Sequence, residues 1–124
     1  MRPTISTVDL RAHPRYLADP GIGAFFGEKQ VVLVNISVAG ALIRHVDAIA
    51  HETDQALRLE CIPPVAELHG EIIWTRTLSS SFESGVQFIQ WIEVAQAVID
   101  RLIERRAIRL DTSRPPSRFS VEAL

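Results

Sequence analysis

A small antiparallel β-barrel followed by one α-helix is the architecture this sequence predicts. Three observations carry that reading. Short runs rich in Val, Ile and Leu recur between Gly- and Pro-containing turns, the run around Leu57 alternates apolar and charged residues, and the hydrophobic period changes after Ile92. Strands joined by tight turns favour a closed or nearly closed antiparallel sheet, with the helix covering its core. At 124 residues, 47% apolar and 23% charged, the chain has room for one domain with a modest core.

The chain divides into an N-terminal arm over 1–19, a barrel over 20–91, a helix over 92–110 and a flexible tail over 111–124. The arm is mostly polar, and Pro14 biases His13 towards extended geometry, which disfavours a helix there. Pro20-Gly21-Ile22-Gly23 leads into a first strand over 22–26, and Gly27-Glu28-Lys29 supplies a hairpin turn. Residues 30–36 form a buried strand. Ser37-Val38-Ala39 turns the chain, and Gly40 opens the next strand, to Ile43. Residues 45–55 are polar enough to be mostly loop, with His45 and His51 in solvent.

A strand comes next in which Leu57, Leu59 and Cys61 share one face while Arg58 and Glu60 share the other, and Pro63-Pro64 ends it. Residues 67–76 form a strand bent at Gly70, with Ile72 and Trp74 on one face. A polar turn over 78–84 precedes the last strand, 85–89. Beyond Ile92, the spacing of Ala95, Val98, Ile99 and Leu102 predicts an amphipathic helix, with Ile103 beside that stripe. Arg105, Arg106 and Arg109 lie near its end, where positive charge suits the helix dipole. Trp74 and Trp91 are expected to pack against barrel and helix.

Composition narrows the function. Thirteen basic and fifteen acidic residues give a net charge of -2, so there is no broad positive field for DNA or RNA. A few local arginines still suffice for a ligand with one or two phosphates. The single cysteine, Cys61, excludes an intrachain disulfide framework and reads as structural. His13, His45, His51 and His69 lack metal-ligand spacing, and no nucleophile, base and orienter fall into a set, so neither a metal site nor an enzyme is expected. The start of the chain does not resemble a signal peptide, and no apolar run is long enough for a membrane span. A cytoplasmic setting is therefore the expectation.

Two fragments carry the chemistry. Arg11-Ala-His-Pro-Arg15 sets two guanidiniums four apart, and Asn35-Ile-Ser-Val-Ala-Gly40 sets an amide, a hydroxyl and a glycine at the end of an apolar run. Arginine can donate a fork of hydrogen bonds to guanine O6 and N7 or to phosphate, and its flat face can stack on a purine. Asn35 can meet a base edge or hold the turn, Ser37 can bond phosphate or backbone, and Gly40 permits close backbone approach.

Taken together, these fragments resemble the PilZ domain family, bacterial receptors for cyclic di-GMP. Arg11 and Arg15 match that family's RxxxR motif, and Asn35, Ser37 and Gly40 match its [D/N]xSxxG motif. Gly70-Glu71-Ile72-Ile73-Trp74 and Gly85-Val86-Gln87-Phe88 are similar to its last strand pair, so the resemblance covers roughly residues 8–91. It implies a six-stranded antiparallel PilZ-type β-barrel with an appended C-terminal α-helix. It also implies cyclic di-GMP as ligand, with no cofactor, held by Arg11, Arg15, Asn35, Ser37 and Gly40. Binding would order the arm and change a surface read by a downstream protein partner, the receptor being a monomer or homodimer. The alternative is a ligand-independent adaptor of the kind found in type IV pilus assembly. Those relatives typically lack the arginine motif, which is intact here.

Overall fold

The structure, a computed structural model, describes residues 13–51 and 54–112. Its strands are β1 (Tyr16–Phe26), β2 (Lys29–Ile36), β3 (Gly40–His45), β4 (Gln55–Leu59), β5 (Ala66–Thr77), β6 (Phe82–Phe88) and the short β7 (Arg109–Leu110). One helix, α1, spans Ile92–Glu104. Antiparallel pairing runs β1–β2–β3–β6–β5–β4 and returns to β1, so six strands form a closed ring. The predicted all-β character and a helix following the six ring strands are both present, with the short β7 after the helix.

Alternation along these strands points one side of the ring inward. Ile36, Ala41, Val86 and Ile72 are register partners across β2, β3, β6 and β5, and all four are buried. With Leu33, Ile43, Leu57, Leu59 and Leu68 they form a single core, joined by Ala95, Val98, Ile99 and Leu102 of the helix. Those four helical residues are the predicted stripe, while Ile103 faces solvent.

Several elements differ from expectation, each for a local reason. The first strand begins at Tyr16 rather than 22, because Tyr16 and Leu17 already pair with Ile36 and Asn35. Residues 18–21 then bulge out opposite Val34, which accommodates Pro20 and its missing N–H. Arg15 therefore stands at the foot of a strand, not within a long arm. The final strand starts at Phe82, which leaves only 78–81 as the turn, closed by Leu78 N donating to Ser81 O. Cys61 lies beyond the end of β4 in an exposed turn, and Ile62 takes the core position instead.

The helix stops at Glu104, short of the expected 110. Ala107 N donates to Leu102 O and Arg106 N donates to Ile103 O, with Arg106 at φ 58, a Schellman ending built on arginine. Ile108 then returns to the core, 5% exposed, and β7 pairs with β1. Trp91, expected to pack, is 78% exposed before the helix. His45, expected in a solvated loop, is buried at the end of β3. Its Nδ1 bonds the Asp47 carbonyl, its Nε2 bonds Ser84 Oγ, and its ring stacks on Phe82. No helix among the described residues is long and apolar enough to cross a membrane. Of the tail expected over 111–124, Asp111 is tied to the start of β1 by donating from its N to Arg15 O, and 113–124 lie outside the described residues.

Candidate functional site

Two bulges build the outer face of the ring. Val34 is the extra residue where Leu33 pairs with Ile43 but Asn35 pairs with Leu42. Ile73 is the extra residue where Ile72 pairs with Val86 but Trp74 pairs with Gly85. An extra residue inverts the inside–outside parity of the strand beyond it. Asn35, Leu42, Gly85 and Trp74 consequently form one continuous outer row across four strands. Ile72 and Trp74, predicted on one face, point to opposite faces for this reason, and the irregularity lies at Ile73 rather than Gly70.

Trp74 is 42% exposed, and its indole lies close over Gly85. A β-carbon at Gly85 would collide with Trp74 Nε1 and Cε2, so only glycine lets the ring lie flat here. Indole and sheet then wall an open pocket of about 180 Å³ lined by Arg15, Asn35, Leu42, Ile73, Trp74 and Gly85. Pockets that enclose a drug-sized ligand measure roughly 300–1,000 Å³. This one is smaller and open, with space for about a single planar ring.

Arg15 is held at the pocket's edge by donating from Nη1 to Asn35 Oδ1 at 2.7 Å. The first and second motifs therefore meet, twenty residues apart in sequence. Burial lowers the pKa of the guanidinium from its ordinary value, and the Asp111 carboxylate opposes that shift. Arginine remains charged at any physiological pH, so a cation is presented beside an aromatic face.

Ser37 and Gly40 serve the turn below the row. Ser37 is fully buried, and its Oγ accepts from Ala39 N at 3.1 Å while its own N donates to Gly40 O at 2.8 Å. A β-carbon on Gly40 would collide with the Val86 carbonyl oxygen, so glycine allows β3 to approach β6. Of the predicted site residues, Arg15 and Asn35 line the pocket, whereas Ser37 and Gly40 shape the backbone that presents Asn35. Arg11 lies outside the described residues. His13 is described, and its Nε2 is buried with no hydrogen-bond partner among them.

Further along the same outer face, the buried carboxylate of Glu83 joins Arg44 and Arg76. Arg76 Nε donates to Oε1 at 2.9 Å and Arg44 Nη2 to Oε2 at 3.2 Å. Trp74, Ile73 and this clamp were not identified from sequence as site features, because the bulge at Ile73 decides which way Trp74 and Arg76 face and long-range strand pairing brings Arg44 and Arg76 to Glu83. Ser84 and His45 are hydrogen-bonded at 2.8 Å, but Ser84 is fully buried and has no access for substrate. No group of three or more His, Cys, Asp and Glu among the described residues is arranged to hold a metal ion. Comparison with family models, curated proteins and solved structures finds no match to this chain.

Proposed function

We propose that this protein is a non-enzymatic receptor for cyclic di-GMP that uses the outer row of its strand ring in the manner of a PilZ domain. The observation that carries the proposal is the junction of Arg15, Asn35 and Trp74 at one open pocket. A guanine ring stacks on the Trp74 indole, Asn35 meets the base edge, and Arg15 reaches base or phosphate. Arg11, the other arginine of the first motif, supplies a second guanidinium for base or phosphate. The changed surface is then read by a protein partner. Exposed Ile89, Trp91 and Ile92, clustered where α1 begins, support a partner-binding role, whether coupled to the ligand or acting alone as an adaptor.

Calorimetric titration with cyclic di-GMP tests the proposal. Arg15→Ala should weaken binding by about 1.5–3 kcal/mol, the scale of a charged hydrogen bond. Trp74→Ala should cost about 1–3 kcal/mol through lost stacking. Absence of heat from the unmodified protein at tens of micromolar ligand rejects the receptor reading. A partner captured without nucleotide would then favour the adaptor.

A further inference from the structure

The C-terminal strand lies against the start of β1. Tyr16 pairs with Leu110 and Leu17 with Arg109, and one step outward Asp111 N donates to Arg15 O at 2.8 Å. Arg15 and Asp111 therefore stand opposite each other. Directly opposed residues of an antiparallel pair project to the same face, with β-carbons about 4.5–5.5 Å apart. The upward influence of Asp111 on the Arg15 pKa agrees with a carboxylate in that position.

Among the described residues, two polar side chains of different character neighbour Arg15. Asn35 is neutral and takes a single hydrogen bond, which orients the guanidinium without neutralising it. Asp111 is anionic and places a negative charge beside the cation that a phosphate would seek. The segment bearing it is anchored behind by buried Ile108 and alongside by an exposed Arg109–Asp19 pair at 3.4 Å. β7 itself contributes only two exposed residues to the sheet.

We infer that Asp111 is an affinity-determining residue of this site, a built-in counter-ion that an anionic ligand must displace or outcompete at Arg15. The inference rests on the receptor reading above. It makes the C-terminal segment a brake on binding, so the ligand threshold depends on whether β7 keeps its place on β1.

The test is titration of cyclic di-GMP into the unmodified protein, Asp111→Asn and Asp111→Lys, at about 50 mM and about 500 mM salt. Thermal melts of each variant confirm that the fold is retained. At low salt Asp111→Asn should bind about five- to tenfold more tightly, the effect of removing one like charge at this range. Asp111→Lys should bind at least as tightly as Asp111→Asn. Both gains should shrink at high salt, which a purely structural role for the side chain would not produce. Binding by the unmodified protein with equal or weaker binding by Asp111→Asn overturns the inference and leaves the receptor reading intact. Absence of binding by all three proteins rejects both.

Discussion

Glu83 carries its charge on a side chain only 4% exposed, between the guanidiniums of Arg44 and Arg76. Burial pushes its pKa up, but hydrogen bonds and charge from Arg76 and Arg44 outweigh that effect and leave the carboxyl below its ordinary value. A lowered folded-state pKa contributes stability that is fully present above the unfolded value. That contribution is lost as pH falls through the folded value. Glu83→Gln should therefore destabilise the protein at pH 7 by about 1–3 kcal/mol and flatten its acid limb, as read by denaturant titration across pH. An unchanged acid limb would show that other carboxylates govern acid unfolding. The same residue scale explains Gly85, whose missing side chain is the space that the Trp74 indole occupies.

At the scale of elements, endings and irregularities matter more than the regular spans. Helix α1 ends through a Schellman motif whose left-handed position is held by Arg106 rather than glycine. An L side chain in that conformation costs about 1 kcal/mol relative to glycine. Arg106→Gly should therefore raise stability by about 0.5–1 kcal/mol, measured by chemical denaturation. A destabilised variant would mean that the Arg106 side chain contributes more than its backbone strain costs. The bulges at Val34 and Ile73 act similarly by direction. Each shifts a strand by one residue, and together they bring Asn35 and Trp74 onto one outer row.

For the whole molecule, the helix and the six-stranded ring share one core. Ile99 is fully buried on the helix face towards that core. Ile99→Ala should cost about 2–5 kcal/mol through lost burial and the cavity left behind. Helical circular dichroism and tryptophan fluorescence should still report one shared transition, as expected for a single cooperative unit. Separate midpoints would show that the helix unfolds independently of the ring. Net charge is -2, so under the proposed receptor reading any attraction for an anionic ligand would have to come from local arginines rather than a global field. This gives a single neighbouring carboxylate such as Asp111 its leverage.

Patterns with short range were legible in the sequence alone. The buried stripe of Ala95, Val98, Ile99 and Leu102 arises from helical period, and the strand series from apolar runs bounded by Gly and Pro turns. The two motifs named Arg15 and Asn35 as candidates, and their residue types suffice to suggest a base- and phosphate-binding role. Only the tertiary structure decided that Arg15 bonds Asn35, that Ser37 is buried in the turn, and that Trp74 faces outward. Bulges explain the last point, because they invert facing without leaving a local compositional mark. The pairing of Asp111 with Arg15 joins residues far apart in the chain, so it arises only when the helix turns back and closes β7 onto β1.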